Sequence, residues 1–451
     1  MLVKISIENF KSFDNATELT MISSNKIRTN ASHRIKVKST QILKYGVVYG
    51  ANASGKTNLV EFFRFFKECV QTGIPMEAVQ MFCKNREENK ERESNFEIQM
   101  TVGDKFYAYG FSVILSRRKI TGEWLYELYQ NGTARCLFER EGSKRPVLDE
   151  SITLSNIEKN KFEIYADDFS GNESTLFLTE MNRGKKYGIR SKLLFFRDVY
   201  DWIQNHIAII TPNTPLIDLE YYYDDDSLLL INKLIETFDT GISKVKIEEI
   251  SVDELSNAMP KPVFDRVMRH VKSKIEEQEN PSFRMTMRSN ESFFNIEVDG
   301  HEEPKVTTIR LHHNKSFYDF GFEEESDGTR RLFDLMDMLL NKRKDVLYVV
   351  DELERSLHPK LTEHFLQLFM QVHSEHRMQL LFTTHESSIM DQAIFRRDEI
   401  WFIERNAENA SKIYSLDRFK ERYDKVLSKA YLEGRYGAIP VFSSFEFREE
   451  E

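Results

Sequence analysis

The first residues of the chain alternate between apolar and polar side chains. Val3, Ile5 and Ile7 are apolar, and the positions between them are polar. This period of two is typical of a strand with one buried face. A second apolar run, residues 42–49, is rich in β-branched and aromatic residues and stops at Gly50. It predicts a buried strand that is followed by a turn.

A helix is predicted after this strand, and an antiparallel sheet after the helix. From Thr57 onward, apolar residues recur three and four positions apart, which is the helical period. The segments 96–102, 106–115 and 123–130 have the composition of strands and are separated by glycine-containing turns. The apolar positions of the helix are Leu59, Val60, Phe62, Phe63, Phe66 and Val70.

The pattern changes near residue 150 and again near residue 305. Residues 151–304 are interpreted as an inserted, largely helical arm or lid. Beyond them, short apolar strands alternate with helices, as in a parallel sheet covered on both faces. The predicted fold class is therefore α/β, with halves at 1–150 and 305–451 that build one core. Within the insertion, helical periodicity is found at 192–210, 227–238 and 263–279.

Composition excludes several classes of protein. The chain has 451 residues and a formal net charge of -10, so no overall field attracts nucleic acid or an anionic membrane, and such contacts must be local. Three scattered cysteines without a CxxC pair argue against a disulfide framework or a zinc site. No apolar run approaches the roughly 20 residues of a membrane span, and the N-terminus does not resemble a signal peptide. We therefore expect a cytoplasmic protein without a membrane partner.

Residues 50–57, Gly-Ala-Asn-Ala-Ser-Gly-Lys-Thr, match the pattern G-x-x-x-x-G-K-[ST] between a predicted strand and a predicted helix. The glycines let the backbone aim N–H groups at phosphate oxygens, the lysine adds a positive charge, and the threonine hydroxyl can bind Mg²⁺. This segment, the P-loop, therefore predicts a bound nucleotide and a magnesium ion. The predicted nucleotide contacts are Gly50, Asn52, Ser54, Gly55, Lys56, Thr57 and Asn58.

Two further strands end in polar residues. The apolar run 346–350 leads to Asp351 and Glu352, and the run 379–384 leads to His385. Asp351 is suited to the magnesium shell together with the P-loop threonine, and Glu352 to a general base that polarises the attacking water. His385 is predicted to hydrogen-bond a γ phosphate. An acidic turn and a structural histidine are the plainer alternatives.

The segment 323–332 precedes another run of apolar residues at helical spacing. Ser326 is a good helix N-cap, and Gly328 permits close approach of the backbone. A helix N-terminus with a hydroxyl and bare backbone is suited to bind an anion. The plainer alternative is an ordinary capped helix. If this N-terminus binds the γ phosphate of a partner's ATP, hydrolysis requires two chains face to face.

This order of motifs resembles the ABC-type ATPases, in particular the soluble branch with RecF, the SMC proteins and the hooked double-strand-break repair ATPases. The opening segment Asn-Phe-Lys-Ser-Phe, 9–13, is similar as well. The resemblance implies an ABC-type core that binds ATP and Mg²⁺ and places ATP between subunits of a dimer or higher oligomer. It implies that 50–58 is the Walker A loop, that Ser326 and Gly328 form the signature, that Asp351 and Glu352 form Walker B, and that Lys56, Glu352 and His385 are catalytic.

The chain also resembles a bacterial and archaeal subfamily of predicted ATPases, called AAA family-15 or RloA-like, known from abortive-infection and anti-phage loci. The resemblance implies an ATPase that senses infection and controls a toxic nuclease, often encoded beside it. The candidate triggers are DNA and a phage protein, and the candidate partners are a TOPRIM-type protein and an HNH nuclease. We expect slow or regulated hydrolysis, because a switch that holds a toxin needs stable occupancy more than turnover. The segments that carry it are 324–329, 351–359, 396–402 and 434–440.

Two features depart from the ABC pattern. Transporter ATPases usually carry an aspartate shortly after the catalytic glutamate, whereas Arg-Ser-Leu-His occupies 355–358 here. The glutamine that usually senses the γ phosphate has two candidates, Gln80 and Gln99, and neither has a motif around it. Communication between the two nucleotide sites is therefore expected to differ in detail.

Two other functions fit parts of the pattern. A nuclease with its own ATPase would carry a TOPRIM domain with a DxD pair, and no DxD follows His385. We therefore expect no nuclease domain in this chain. A DNA-binding repair or clamp ATPase like RecF or SMC is the alternative that remains, because the basic segment 183–192 could contact DNA.

Overall fold

The structure, a computed structural model, describes residues 1–212, 225–276, 281–288, 292–300, 302–341, 343–419 and 426–440. The strands are β1 (Leu2–Glu8), β2 (Thr17–Thr20), β3 (Arg34–Val37), β4 (Thr40–Leu43), β5 (Tyr45–Tyr49), β6 (Ser94–Val102), β7 (Lys105–Ile114), β8 (Lys119–Leu128), β9 (Ala134–Glu141), β10 (Val147–Leu148), β11 (Ile207–Ile210), β12 (Ile242–Ile250), β13 (Ser282–Arg288), β14 (Phe293–Asp299), β15 (Lys305–His313), β16 (Phe320–Gly321), β17 (Leu347–Val350), β18 (Gln379–Thr384), β19 (Ile400–Arg405) and β20 (Ser411–Ser415). The α-helices are α1 (Lys56–Thr72), α2 (Asn156–Asp168), α3 (Phe177–Asn182), α4 (Leu194–Asn205), α5 (Asp225–Glu236), α6 (Val252–Asn257), α7 (Lys261–Glu276), α8 (Asp327–Leu340), α9 (Pro359–Val372) and α10 (Leu427–Leu432).

The chain folds into two compact units. The first comprises Met1–Ile209, Arg343–Leu353 and His373–Glu451, and the second comprises Ile210–Lys342 and Glu354–Val372. In the described part of the first unit, one sheet is antiparallel in the order β10-β9-β8-β7-β6-β1-β2. A second sheet has the order β11-β17-β18-β5-β19-β20. Because β17, β18, β5 and β19 run parallel, the second sheet is the α/β core that the sequence predicts.

Helix α1 links the two sheets of the first unit through one hydrophobic core. Its apolar face contacts the antiparallel sheet, where the ring centroids of Phe65 and Phe96 lie 5.1 Å apart and those of Phe66 and Phe111 lie 5.3 Å apart. The same core contains Val48 of the parallel sheet. Burial of such side chains contributes about 1.5–3 kcal/mol each. The core therefore fixes the helix that follows the P-loop.

The second unit contains the sheet and the helices that lead to Ser326. Strands β12-β15-β14-β13 form an antiparallel sheet, and β16 pairs with β15. One face packs against α5 and α8 through residues such as Phe333 and Met336. The other face packs against α6 and α7 through residues such as Leu255 and Val271. Helix α8 is thus anchored along its length by an apolar face.

The prediction that 151–304 is largely helical missed the strands that the structure has there. Helices α2 to α7 lie there as expected, but β12, β13 and β14 form a sheet that was not predicted. In β13, the apolar residues Phe283, Met285 and Met287 alternate with polar ones, so this strand buries one face. The predicted division at 150 and 304 remains a proposal, and the compact units divide at other positions.

The α/β class with an antiparallel subdomain and a P-loop between β5 and α1 is confirmed. The predicted strand at 42–49 is two strands, β4 and β5, that are interrupted at Lys44. This lysine is fully buried and donates to the backbone oxygen of His373 at 2.7 Å. Among the described residues, no helix combines the length and apolar character needed to cross a membrane.

Candidate nucleotide-binding and hydrolysis site

The parallel sheet brings the predicted polar residues to one edge. Tyr49 at the end of β5 is paired with Thr384 at the end of β18, and Val350 at the end of β17 is paired with Phe382. Since parallel strands that are paired in this way end together, Gly50, Asp351 and His385 all follow the same edge. In an open α/β sheet, ligands bind outside the carboxyl ends of the strands.

The P-loop needs its glycines for space and for conformation. Gly50 has no room for a Cβ, which would lie 2.5 Å from the backbone oxygen of Ile403. Gly55 has φ 113° and caps α1, a conformation that favours glycine. Ala53 also has a positive φ, 62°, which is uncommon for a residue with a Cβ. The loop is thus held in a strained shape of the kind that clusters at ligand sites.

The polar groups of the P-loop fit a phosphate. Lys56 is 7% exposed, and its Nζ donates to the backbone oxygens of Gly50 at 2.6 Å and Ala51 at 3.1 Å, so the ammonium is curled inside the loop. The buried Oγ of Ser54 has no hydrogen-bond partner among the described residues. An orphaned hydroxyl beside a buried ammonium and a helix N-terminus suits an anion. Asn52 and Thr57 are exposed and open to a ligand.

Asn58 is directed toward another part of the protein. Its Nδ2 donates to Ser12 Oγ at 2.7 Å. A role in holding the first turn of α1 therefore fits the observed contact better than direct contact with the nucleotide.

Asp351 and Glu352 are tied to the neighbouring strand by Thr383. The Oγ1 of Thr383 donates to Asp351 Oδ1 at 2.6 Å and accepts from the backbone N–H of Glu352 at 2.9 Å. Glu352 has a φ of 50°, in the left-handed region, so the chain turns sharply between the two carboxylates. Asp351 is 4% exposed, whereas Glu352 is half-buried and accessible to solvent.

These environments suit different tasks. A buried carboxylate that already accepts one hydrogen bond is held in place for a metal or its water ligands. An accessible carboxylate is suited to polarise a water molecule. His385 follows the adjacent strand and is exposed at the same edge.

The Ser326 segment lies in the second unit and has the predicted geometry of a helix cap. Ser326 Oγ accepts from the backbone N–H of Thr329 at 3.1 Å, and Ser326 itself is exposed. Gly328 has no room for a Cβ, which would lie 2.6 Å from the backbone oxygen of Ser356. The close backbone approach expected at Gly328 is therefore made to the backbone of Ser356, which follows Asp351 and Glu352 in the same chain.

Known families and solved structures show what this chain is similar to. Residues 47–391 match the family model described as "AAA domain, putative AbiEii toxin, Type IV TA system". The chain belongs to this family of AAA ATPase domains. The predicted AAA-type ATPase domain is confirmed at the level of this family. No curated protein sequence matches the chain.

Solved structures of SMC heads are similar to this AAA ATPase domain over most of its length. One is an SMC head bound to the C-winged helix domain of ScpA, with 13% identity, a TM-score of 0.38, and coverage of 92% of this chain and 97% of that chain. Another is the SMC head domain from Thermotoga maritima, with 13% identity, a TM-score of 0.35, and coverage of 92% and 98%.

The magnesium ion expected of an AAA ATPase has a partial set of protein ligands. The described residues contain no cluster of three or more His, Cys, Asp or Glu side chains that could hold a metal by themselves. Mg²⁺ in nucleotide sites is usually held by one or two protein groups together with phosphate oxygens and water. The exposed hydroxyl of Thr57 and the oriented carboxylate of Asp351 fit that arrangement.

Two segments that carried the resemblance have structural roles in this AAA domain. The fully buried Arg396 donates to Asp398 at 2.9 Å and to the backbone oxygen of Ile27 at 3.2 Å. Burial raises the pKa of Glu399, and its contact with His33 at 3.0 Å opposes that rise. The segment 396–402 thus ties the N-terminal region to β19.

The C-terminal segment of the resemblance, 434–440, packs on the hairpin of β19 and β20. The hydroxyl of Tyr414 donates to the backbone oxygen of Tyr436 at 2.7 Å, and the backbone N–H of Ala438 donates to Glu404 at 3.0 Å. These contacts explain the segment as a brace for the edge of the parallel sheet.

Sequence reasoning missed three residues of the site: Thr383, Ser12 and Ser411. Thr383 lies near the end of the run 379–384, and its bond to Asp351 depends on strand pairing that no local pattern shows. Ser12 lay within the segment 9–13. Ser411, on an edge strand far along the chain, gave no signal. Of the two glutamine candidates, Gln80 is the last residue of a short 3₁₀ helix, Met76–Gln80, and Gln99 lies on β6. The backbone oxygen of Met81, next to Gln80, accepts from the backbone N–H of Lys11 at 2.6 Å.

Replacing Thr383 with valine is expected to lower the kcat for ATP hydrolysis by about 10- to 100-fold, as loss of a supporting group around a metal site typically does. The change keeps the shape but removes both bonds that orient the carboxylates. Steady-state rates at varied Mg²⁺ concentration measure the effect. The matched control is Thr384→Val, because Thr384 Oγ1 accepts a local hydrogen bond from the backbone N–H of Glu386 at 3.0 Å. Equal rates for both variants would contradict the assigned role.

Proposed function

We propose that the protein binds and hydrolyses ATP between two copies of the chain, and uses the bound state to control a partner effector in anti-phage defence. The observation that carries the proposal is the sheet edge at which a P-loop, an oriented aspartate, an accessible glutamate and a histidine meet. Membership of an AAA ATPase family supports hydrolysis of ATP by that site.

Each residue of the sheet edge has a distinct role in the proposal. Lys56 holds the phosphates, and Thr57 with Asp351 holds Mg²⁺. The metal supplies positive charge that offsets the negative charge of the phosphates. Glu352 accepts a proton from the attacking water, which its accessible position permits. His385 donates a hydrogen bond toward the γ phosphate.

The second half of the site is proposed to come from Ser326 of another copy. Helix α8 is 14 residues long and begins at the exposed Asp327, so unpaired N–H groups of its first turn are open to an anion. The hydroxyl of Ser326 accepts from the backbone N–H of Thr329 and shares a hydrogen bond with Thr329 Oγ1 at 2.8 Å, in which either hydroxyl can be the donor. When Thr329 is the donor, the proton of Ser326 can go to an anion. A γ phosphate bound by a second copy is the anion that this arrangement fits.

ATP is therefore expected to drive association of two copies, and Ser326→Arg is expected to prevent it. A long cationic side chain at this cap would fill the space that the phosphate needs, without touching the P-loop. Light scattering with ATP should show a mass near twice that of the monomer for the unaltered protein and the monomer mass for the variant. ATP affinity of the isolated variant should stay within about threefold of the unaltered value.

The matched control is Ser155→Arg, because Ser155 caps the 13-residue helix α2 with its side chain in the same way and is exposed. Association that survives Ser326→Arg, or that is lost equally in Ser155→Arg, would contradict the proposed trans contact.

The proposed output is control of a toxic partner. The family description names a "putative AbiEii toxin" and a "Type IV TA system", which supports a role in defence. A holding function needs long occupancy more than rapid turnover, so the purified protein alone is expected to hydrolyse ATP slowly. The partner is proposed to be a nuclease of the TOPRIM or HNH type that is encoded beside it.

The defence role is tested by phage plating on cells that carry the gene together with its neighbour. The proposal expects fewer plaques for at least one phage, and loss of protection when Lys56 is replaced by alanine or when the neighbouring gene is removed. Equal plaque numbers with and without the two genes, across a broad panel of phages, would contradict the defence role. That result would leave the ATPase assignment in place.

A DNA-binding clamp is the second candidate, and one feature favours it. Arg183, Lys186, Arg190 and Lys192 are exposed in one segment, while Lys185 is held by Glu180 at 2.5 Å. Binding through phosphate contacts would weaken steeply as salt rises. Anisotropy titrations with duplex DNA separate the candidates, since binding that is salt-dependent and lost in Lys186→Glu would favour the clamp.

A further inference from the structure

We infer that Ser12 and Ser411 are positioning residues that hold the P-loop in its phosphate-binding shape through an ordered chain of hydrogen bonds. The inference rests on the proposed function, because the purpose of the chain is nucleotide binding. Neither serine belongs to the P-loop motif, and the two are separated by almost the whole sequence.

The contacts form a single path. Asn58 Nδ2 lies 2.7 Å from Ser12 Oγ, Ser12 Oγ lies 2.7 Å from Ser411 Oγ, and Ser411 Oγ lies 2.6 Å from the backbone oxygen of Ser54. The path therefore starts in the first turn of α1 and returns to the loop just before Gly55.

The number of protons fixes the direction of every bond. A carbonyl oxygen can only accept, so the single hydroxyl proton of Ser411 goes to Ser54. Ser12 must then donate its proton to Ser411, and it accepts from the amide of Asn58, which can only donate through nitrogen. Bonds aligned in one direction strengthen one another. Removal of either hydroxyl breaks the path at its centre.

The two serines are themselves rigidly held. Ser12 lies in a tight turn closed by Phe10 and Phe13, whose backbone groups exchange hydrogen bonds at 2.9 and 2.8 Å. Ser411 lies on β20, and its backbone N–H donates to the backbone oxygen of Ser12 at 2.7 Å. Their side chains are buried, with exposures of 6% for Ser12 and 3% for Ser411. Residues locked by packing and hydrogen bonds are suited to hold a binding loop in shape.

The path also passes directly behind Gly55. A Cβ on this glycine would overlap Ser411 Oγ and would lie 2.7 Å from Ser12 Oγ. The serines therefore contact the back of the loop at the residue with φ 113°. Without them, the loop loses the support that keeps this conformation, and ATP must order the loop as it binds.

The test is ATP affinity in Ser411→Ala, Ser12→Ala and the double variant, measured with a fluorescent ATP analogue beside thermal unfolding. Each single variant is expected to bind about tenfold more weakly, in line with loss of a supporting bond at a binding site. The double variant is expected to bind no more weakly than the weaker single variant, because one break already interrupts the path.

The matched control is Thr179→Val. The buried Thr179 Oγ1 donates to the backbone oxygen of Val70 at 2.7 Å, near the other end of α1, so its loss should lower thermal stability without lowering ATP affinity. If Ser411→Ala does not fold, Ser12→Ala tests the same path.

The outcomes separate the two claims. If the unaltered protein binds ATP, and the serine variants bind it equally well while losing thermal stability like Thr179→Val, the positioning role is overturned and the proposed function stands. If the effects of the two serine changes multiply, the ordered path is overturned. An unaltered protein that binds no ATP would overturn the proposed function, and the positioning role with it.

Discussion

Lys56→Ala is expected to weaken ATP binding by about 100-fold or more, since it removes hydrogen bonds of a charged group worth about 1.5–3 kcal/mol each. The ammonium of Lys56 is held inside the P-loop by the backbone oxygens of Gly50 and Ala51. A phosphate that enters the loop is attracted by the Lys56 ammonium in a buried setting, where water screens the attraction only weakly. Calorimetric titration with ATP and Mg²⁺ measures the loss.

The control for this change is Lys67→Ala on the same helix. Lys67 Nζ donates to the backbone oxygen of Ile207 at 2.7 Å, so both variants lose an ammonium that bonds to backbone. Only the Lys56 variant loses one inside the P-loop. Affinity that falls equally in both variants would mean that helix stability, and not phosphate contact, explains the effect.

Glu352→Gln is expected to lower kcat by about 100- to 10,000-fold, the usual contribution of a general base, while ATP binding is retained. Glutamine keeps the size of the side chain and leaves the backbone bond to Thr383 in place, but it cannot accept a proton from water. Because hydrolysis is blocked and binding is not, the ATP-bound assembly should accumulate. Single-turnover hydrolysis and light scattering measure the two effects separately.

The control for Glu352 is Glu386→Gln, which alters a carboxylate that follows the same sheet edge. Glu386 Oε1 accepts from the backbone N–H of Ser388 at 2.9 Å, which gives it a local structural role. Normal turnover in Glu352→Gln would contradict the assignment of the base. Turnover that is lost only in Glu386→Gln would assign the base to Glu386.

The P-loop core was predictable because its signals are local. The strand that ends at Gly50, the glycines at fixed spacing and the apolar face of α1 all lie within one short segment, and each agrees with the others. The carboxylates at Asp351 and Glu352 could be placed at the same edge because parallel strands in such sheets end together.

The sheet of the second unit was not predictable in the same way. Strand β15 contains Lys305, Arg310 and two histidines, and these polar residues obscure the apolar pattern of a buried strand. In the structure, Ile309 and Leu311 are buried against α5 and α8, while Arg310 points to Glu248 of β12. Arg310 and Glu248 are partners on neighbouring strands with partly exposed side chains, and a single strand does not show such a pairing.

Thr383 and Ser411 were beyond sequence reasoning for a related reason. Both act through hydrogen bonds to residues that are distant along the chain, Asp351 and Ser12. A lone serine or threonine on a strand has many ordinary roles, and only the pairing of the strands gives these two a specific one.

The central claim is that each ATP site takes its P-loop from one copy and Ser326 from another. Turnover of a mixture of Lys56→Ala and Ser326→Arg proteins, each inactive alone, tests it most directly. In a mixed dimer, one site combines the altered P-loop of one copy with the altered Ser326 position of the other copy. The second site combines the two unaltered halves. Because each mixed dimer keeps one of its two sites, the mixture should recover turnover that neither protein shows alone, up to about one half of the normal value when every dimer is mixed. A mixture that exchanges subunits and stays as inactive as its components would contradict the shared site.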